Sequence, residues 1–329
     1  MKLSQHKEYS VTQLKMLSDK FAKIEELKNN FLCIYVTGSY GRLEASKNSD
    51  IDLFFIDAAS SIHDHTSGID KTLIHADLIK ICRSMNLPEF SKDGLYLKIH
   101  RLNDIKENLG SPYDDYQNFF TSRMLLLLES KVLYDEDLYN QILESIIDSY
   151  YRDFHRHSED FKPIFLANDI MRFWKTLLLN YEHSRNRSSK VHIKNGKGLE
   201  KHKAIVHSKN LKLKFSRKLI CFSFLIQLLA NDGTITQEDV VKISKLTPVE
   251  RISSLKEISC GLSGDVDDLL SSYQWFIDHT QVPSEQMLKW ISNKSNRDDA
   301  FDRSRKFGEK IFEIMMSVDN QNLIQKLLI

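Results

Sequence analysis

The sequence predicts an α+β protein, with a small mixed sheet in residues 1–133 and an all-helical domain in residues 134–329. Residues 31–36 and 53–56 are short apolar runs, rich in β-branched and aromatic residues and bounded by Gly, Ser, Asn and Asp. Such runs are typical of buried strands. From Asp135 onward the apolar spacing is helical almost throughout, and the chain has only 5 prolines and 11 glycines to interrupt helices.

The overall composition argues against several classes of protein. The chain has 46 Lys and Arg residues against 45 Asp and Glu residues, so the whole protein is not an obvious polyanion binder. Its four cysteines form no paired motif, which gives no zinc signal and fits a reducing cytoplasm. The longest apolar stretch, residues 219–230, is too short to cross a bilayer, and the N-terminus lacks the apolar core of a signal peptide. We therefore expect a cytoplasmic protein with no membrane partner.

Further elements are predicted around the two apolar runs. Residues 3–30 repeat apolar side chains at threes and fours, which indicates an amphipathic helix behind the first strand. Residues 70–85 predict a second helix, and Pro88 prevents its continuation. Residues 95–99 alternate as a strand does, and residues 114–131 predict a strongly buried helix.

The segment between the two apolar runs contains the candidate functional residues. Gly38 lets the backbone approach a ligand closely, and Ser39 supplies a hydroxyl beside free N–H groups ahead of a short helix. About ten residues later, Asp50 and Asp52 open the second run. Because alternate residues of a strand face the same side, the two carboxylates are expected to lie together. A hard divalent cation relieves such repulsion, so the pattern indicates metal-assisted phosphoryl or nucleotidyl transfer.

These motifs resemble a known signature. Gly-Ser-Tyr-Gly-Arg followed by Ser-Asp-Ile-Asp-Leu is similar to the signature of the DNA polymerase beta-like nucleotidyltransferase superfamily. That signature is a hydrophobic strand ending in Gly-Ser, then about ten residues, then Asp-hydrophobic-Asp-hydrophobic. Arg42 and Ser49 make the resemblance nearest to bacterial members such as the uridylyltransferase domain of the PII-modifying enzyme. The resemblance covers less than a tenth of the chain and implies a nucleotidyltransferase domain over residues 1–133.

The resemblance also implies roles for individual residues. Asp50 and Asp52 would be the catalytic residues and the ligands of Mg²⁺ or Mn²⁺. Gly38 and Ser39 would position the β- and γ-phosphates of a nucleoside triphosphate. Arg42 would either neutralise charge near the phosphates or only pack the short helix. An acceptor hydroxyl would attack the α-phosphorus, and pyrophosphate would leave.

A third carboxylate, which the superfamily often carries on a later strand, is not obvious here. The strand predicted at residues 95–99 has Lys98 at this place. Candidates nearby are Asp93, Asp104 and the pair Asp114 and Asp115. The third ligand therefore stays open, and water and phosphate oxygens can complete an octahedral site on two carboxylates.

Basic residues on two predicted apolar helices have more than one possible role. Arg123, in the helix predicted at residues 114–131, either braces the active-site acids or contacts the nucleotide, or else forms an ordinary interdomain ion pair. Residues 165–181 predict another helix, with Arg172 and Lys175 on one side. That side is either the solvated edge of a core helix or part of a nucleotide cleft with Lys175 or Arg172 on phosphate.

Residues 184–218 are the one strong shift in composition. They contain twelve Lys or Arg residues and a single acid, Glu200. Gly196 and Gly198 lie near the middle, so the first half is expected to be a mobile loop. Such a segment suits a triphosphate or an RNA backbone, and it equally suits a solvated flexible stretch. No aromatic residues of the kind that stack on bases are interleaved with the charges.

The sequence thus predicts a metal-dependent nucleotidyltransferase that binds a nucleoside triphosphate. The acceptor is open: a protein, a nucleotide or an RNA. Two alternatives remain. One is a nucleotide-sensing regulatory module that keeps the fold without turnover, which the missing third acid favours. The other is an RNA-modifying nucleotidyltransferase that uses residues 184–218 to hold the RNA backbone.

Overall fold

A computed structural model describes residues 2–61, 63–88, 90, 97–156, 158–159, 161–192, 199–231, 233–258, 260–319 and 324–325. It contains two compact units. The first holds a small sheet with helices, and the C-terminal region is helical, so the α+β class is confirmed. The first unit comprises Met1–Phe161 and Thr236–Thr247, and the second comprises Lys162–Ile235 and Pro248–Ile329.

A four-stranded sheet organises the first unit. Its strands are β1 (Leu32–Thr37), β2 (Asp52–Asp57), β3 (Ile99–Arg101) and β4 (Lys131–Tyr134). The spatial order is β3-β2-β1-β4. β1 pairs antiparallel with β2 and β4, whereas β2 pairs parallel with β3. The prediction of a small mixed sheet is therefore confirmed.

Two strands differ from the sequence prediction. The strand expected at residues 95–99 is observed only as Ile99–Arg101, and residues 91–96 lie outside the described part of the chain. β4 was not predicted. Its four residues are too few for an alternating pattern to emerge beside the long apolar helix that precedes it. Because β4 ends at Tyr134, residue 133 lies within the sheet, and the functional domain boundary there stays a prediction.

Both faces of β1 are covered, and all six of its residues are buried. On one face, Ile34 and Val36 belong to a buried apolar cluster that includes Leu17 and Ile74. Leu17 lies in helix α1 (Leu3–Phe21) and Ile74 in helix α4 (Gly68–Ser84), so these helices cover that face.

On the other face, Tyr35 stacks on Phe54 of β2, with ring centroids 5.6 Å apart. The Tyr35 hydroxyl lies 3.2 Å from the Ser122 hydroxyl of helix α7 (Phe119–Glu129). The Tyr35 ring lies 6.4 Å from the ring of Tyr139 in helix α8 (Glu136–Asp148). The sheet is therefore the middle of three layers.

Helices surround the sheet and form the second unit. The helix expected over residues 3–30 ends at Phe21, and a separate one-turn helix, α2 (Glu25–Lys28), follows. Of its predicted apolar face, Leu14 and Leu17 are buried, whereas Val11 is 48% exposed.

Within the described residues, none of the helices has the length and apolar content that a membrane span needs. The helices are α1 (Leu3–Phe21), α2 (Glu25–Lys28), α3 (Gly38–Gly41), α4 (Gly68–Ser84), α5 (Leu102–Glu107), α6 (Pro112–Tyr116), α7 (Phe119–Glu129), α8 (Glu136–Asp148), α9 (Ile164–His192), α10 (Leu199–Lys212), α11 (Lys218–Leu229), α12 (Gln237–Lys245), α13 (Pro248–Ser253), α14 (Leu255–Ile258), α15 (Ser263–Thr280), α16 (Ser284–Ser292) and α17 (Lys294–Val318).

The basic segment is more regular than predicted. Residues 184–192 continue α9, and α10 begins at Leu199, so the expected loop is wrong for these residues. Lys and Arg are good helix formers, and a high density of like charge does not by itself break a helix. Gly196 and Gly198 lie outside the described residues. A π-helical turn, Leu213–Arg217, connects α10 to α11.

Candidate active site

Gly38 and Asp52 meet at one end of the two central strands. Thr37, the last residue of β1, pairs with Asp52, the first residue of β2, and Gly38 follows at φ 67°. This left-handed conformation favours glycine. A Cβ on Gly38 would lie 2.8 Å from Oδ2 of Asp52, closer than real Cβ atoms come to any such neighbour. Glycine thus allows the backbone that opens α3 to lie directly against a carboxylate.

Asp50 and Asp52 flank a buried residue. Asp50 is exposed, Ile51 is buried in the apolar cluster, and Asp52 is half-buried. β2 begins only at Asp52, so Asp50 lies just ahead of the strand rather than in it. The alternation of exposure nevertheless agrees with two carboxylates directed away from the side that Ile51 buries. The pair is therefore open to solvent, as a substrate site requires.

A serine-closed turn leads into the two acids. The backbone N–H of Ser49 donates to the Ser46 carbonyl at 2.9 Å. In return, the Ser46 N–H donates to the Ser49 hydroxyl at 3.0 Å, and both serines are buried. Asn48 N–H donates to the Ser46 hydroxyl at 3.3 Å. These side-chain contacts to the backbone fix the chain immediately before Asp50.

Helix α1 anchors the same loop through two buried polar residues. The Ser10 hydroxyl accepts from the Ala45 N–H at 2.9 Å and donates to the His6 carbonyl at 2.7 Å. His6 Nδ1 lies 3.0 Å from the Ala45 carbonyl. Sequence reasoning missed both residues. The signal was present, because His6 and Ser10 continue the four-residue spacing of the buried α1 face toward its N-terminus.

Arg42 lies between two buried carboxylates. Its Nε donates to Glu44 at 2.8 Å, and its Nη1 donates to Glu129 at the end of α7. The Arg42 side chain is only 9% exposed. Gly41 permits this approach, since a Cβ there would lie 2.0 Å from the Glu129 carbonyl oxygen. Of the two roles predicted for Arg42, these contacts describe the packing of the short helix, and a phosphate contact stays a prediction.

The candidates for a third acid are scattered. Lys98 is exposed and donates to Gln117 at 3.1 Å. Phe55 of β2 pairs with Ile99, the first residue of β3. Asp93 lies outside the described residues. Asp104 is half-buried in α5, and Asp115 is exposed in α6.

Asp114, the remaining candidate, is held by Arg123. The guanidinium donates to both Asp114 oxygens, at 2.9 Å and 2.7 Å, to the Tyr150 hydroxyl at 2.8 Å and to the Ile105 carbonyl at 3.2 Å. Arg123 and Asp114 are both fully buried. All these partners belong to the first unit, so the interdomain alternative is wrong. An Arg123 side chain with no exposed surface is also not placed to contact a nucleotide.

Asp57, at the far end of β2, organises the following loop. Its carboxylate accepts from Thr66 N–H at 2.9 Å and Ala59 N–H at 3.1 Å, and it lies 3.0 Å from Nδ1 of His65. Burial raises the pKa of Asp57, but the hydrogen bonds from His65, Thr66 and Ala59 outweigh burial and leave the pKa below its ordinary value. Asp57 is therefore a structural anion, separate from the exposed Asp50.

The donor chemistry of the acidic pair fits Mg²⁺ or Mn²⁺. Among the described residues, no group of three or more His, Cys, Asp or Glu side chains is arranged to hold a metal ion. Asp50 and Asp52 offer hard carboxylate oxygens with access to solvent, and Gly38 lets the backbone lie against the Asp52 carboxylate. Mg²⁺ commonly takes one or two carboxylates and completes its shell with water and substrate phosphate.

The other predicted nucleotide ligands lie in different units. Ser39 is partly exposed in α3, and its carbonyl accepts from Glu44 N–H at 2.8 Å. Lys175 is exposed on α9 in the second unit, and neighbouring Arg172 pairs with Asp169 at 3.3 Å. Ser39 therefore accompanies Gly38 and the acids in the first unit. A phosphate contact by Lys175 stays a prediction.

No protein-family model matches the chain, and comparison with curated proteins gives no match. The resemblance to nucleotidyltransferases consequently rests on the residues around Gly38, Asp50 and Asp52 and on their arrangement at the end of β1 and β2.

Proposed function

We propose that this protein is a metal-dependent nucleotidyltransferase, which moves a nucleoside monophosphate from a nucleoside triphosphate to an acceptor hydroxyl. The observation that carries the proposal is the juxtaposition of Gly38, in a left-handed conformation, with the Asp52 carboxylate at 2.8 Å from the place of its missing Cβ. A backbone that can approach phosphate and a carboxylate that can hold a cation lie side by side.

Each residue of the site has a proposed role. Asp50 and Asp52 would hold Mg²⁺ or Mn²⁺, and the cation would neutralise phosphate charge and favour departure of pyrophosphate. Gly38 and Ser39 bind the β- and γ-phosphates through backbone N–H groups and a hydroxyl. The serine-closed turn at Ser46 fixes the backbone immediately before Asp50, which favours a pre-positioned carboxylate.

The proposed reaction is an in-line displacement. The acceptor oxygen forms a bond to the α-phosphorus while the bond from that phosphorus to the bridging oxygen of pyrophosphate breaks. The electron pair of the broken bond leaves with pyrophosphate, and the proton of the acceptor hydroxyl is released to solvent. Catalysis by the chain consists mainly of positioning and charge stabilisation, as in other phosphoryl transfers.

The test is a transfer assay on the full chain. The protein is incubated with each α-³²P-labelled nucleoside triphosphate, Mg²⁺ or Mn²⁺, and cell extract as a source of acceptors. We expect label to move to one class of macromolecule or small molecule only when a divalent cation is present. The labelled species then identifies the acceptor as protein, nucleotide or RNA.

A regulatory module that binds nucleotide without turnover is the second candidate. Lys98, rather than an acid, directly precedes β3, and Asp114 is paired with Arg123. Equilibrium dialysis with the same labelled nucleotides separates the two functions. Saturable binding without any transferred label would favour the regulatory module, whereas transfer of label would exclude it.

A further inference from the structure

A groove in the second unit has two lysines in its wall. It lies between α17 and the π-helical turn that leads into α11, and its volume is about 540 Å³. Lys214 and Lys218 line one side, whereas Arg305, Gly308 and Phe312 of α17 line the other. All of these residues belong to the second unit, so the groove is complete within one compact body.

Lys218 is half-buried, and its ammonium group rests against Gly308. A Cβ on Gly308 would lie 2.4 Å from Nζ of Lys218, so only glycine leaves this position of the amine open. Within the described residues, no carboxylate forms an ion pair with Lys218 or with Lys214. The Nζ atom of Lys214 instead lies 5.2 Å from the centre of the Phe301 ring.

The acids that line the groove are already matched by other cations. Glu309 accepts from Arg305 at 2.6 Å, and Glu313 pairs with Lys310 at 2.8 Å. The charges of Lys214 and Lys218 therefore remain uncompensated by these acids. Burial and the nearby charge of Lys214 lower the pKa of Lys218, which is the expected response of a cation that lacks an anion.

We propose that this groove binds a phosphate monoester, with Lys214 and Lys218 on the phosphate and the rest of the ligand against Phe312. A phosphate monoester carries a charge of about −1.5 to −2 at pH 7, which matches two ammonium groups better than a carboxylate does. Phe312 is 59% exposed at the groove and offers an apolar surface to a sugar or a base. The proposal concerns the second unit and does not depend on nucleotidyl transfer.

Protection of lysine from acetylation tests the proposal on the full chain. The protein is treated with an amine-acetylating reagent, and the rate at each lysine is measured by peptide mass spectrometry. Parallel samples contain ribose 5-phosphate, AMP or adenosine at equal ionic strength. We expect both phosphates to slow acetylation of Lys218 about tenfold at ligand concentrations of ~10 Kd. Adenosine should give no protection, and exposed Lys289 of α16 should react equally in every sample.

Variants of groove residues test whether the phosphate binds at this groove. Lys218→Gln should abolish binding of ribose 5-phosphate, measured by calorimetry. Gly308→Ala should weaken it without changing any charge, because the new Cβ displaces the Lys218 amine. Lys289→Gln is the matched control and should bind normally. Unchanged affinity in both groove variants, or equal protection of Lys218 and Lys289, would overturn the proposal.

A final experiment tests whether the groove binds its ligand independently of the proposed active site. In the Asp50→Asn/Asp52→Asn double variant, protection of Lys218 by ribose 5-phosphate should persist, since those acids belong to the first unit. Loss of protection in that variant would overturn the groove as an independent site. Persistence of protection, together with absence of nucleotidyl transfer in the wild type, would reject the proposed function and leave the groove standing.

Discussion

Oδ2 of Asp52 lies 2.8 Å from the position where Gly38 would carry a Cβ, and Gly38 holds φ at 67°. The positive φ favours glycine, and a Cβ at this position would also force the Asp52 carboxylate to shift. Together they place the turn at Gly38 and a half-buried carboxylate at the same end of the sheet.

Replacement of Gly38 should damage both stability and the site. Gly38→Ala should cost about 1–2 kcal/mol of unfolding free energy, because a left-handed residue with a Cβ is strained. It should also reduce transfer about a hundredfold if Asp52 moves by ~1 Å. Urea unfolding and the transfer assay measure the two effects. Gly68→Ala is the control, since a Cβ at Gly68 meets no atom within 4 Å; similar losses in both variants would contradict the account.

Arg42 is expected to contribute mainly to stability. Arg42→Met should destabilise the protein by about 3–5 kcal/mol, because it leaves Glu44 and Glu129 as buried charges without their cation. Lys28→Met, which breaks an exposed pair with Glu25, should cost only ~0–1 kcal/mol. Chemical denaturation compares the variants. An Arg42→Met protein of normal stability but with a raised KM for nucleotide would instead assign Arg42 to the phosphates.

Acid sensitivity should depend on His100. Burial, with the charge of Lys98 adding to it, lowers the pKa of His100 from 6.5 to about 4. Between these values the unfolded chain binds a proton and the folded chain does not. Stability is therefore lost as the pH falls from 6.5 toward 4, by up to about 3 kcal/mol.

Urea unfolding between pH 7 and pH 4 tests this expectation. His100→Phe keeps a ring beside Phe119, whose centroid lies 5.5 Å away, and it removes the titrating group. Its stability should vary less over this window than that of the wild type. Exposed His63→Phe should keep the wild-type dependence. Parallel pH profiles for wild type and His100→Phe would show that His100 is not responsible.

Gly308→Ala should separate stability from binding. Gly308 lies inside α17, where alanine is favoured over glycine by about 0.8–1.0 kcal/mol. The variant should therefore melt at a higher temperature and yet bind ribose 5-phosphate more weakly, since the Cβ takes the place of the Lys218 amine. Gly264→Ala, near the start of α15 with no neighbour within 4 Å, should not weaken binding. A Gly308→Ala protein that binds normally would contradict the expected displacement.

The sequence predicted the parts of the fold whose patterns are local. β1 and β2 are apolar runs bounded by turn residues, and both occur where expected. Arg123 was placed on a buried helix, but its partners Asp114 and Tyr150 follow from tertiary packing and left no sequence pattern. β4 escaped prediction for a related reason, since only its pairing with β1 identifies four residues as a strand.

The sequence predicted the acidic residues of the candidate site but not the residues that hold them in place. Glycine and aspartate at the ends of apolar runs pointed to Gly38 and Asp52. The contacts of Ser10 with Ala45, and of Arg42 with Glu129, join residues 35 and 87 positions apart. A single sequence contains no signal that links such distant positions.

The central claim, that Asp50 and Asp52 carry nucleotidyl transfer, is tested most directly by comparing four proteins in the α-³²P assay: wild type, Asp50→Asn, Asp52→Asn and the exposed control Asp19→Asn. We expect both site variants to lose transfer by at least about a thousandfold, equivalent to ~4 kcal/mol, while they unfold at the wild-type temperature. Asp19→Asn should retain full transfer. Undiminished transfer by Asp50→Asn and Asp52→Asn would contradict the account.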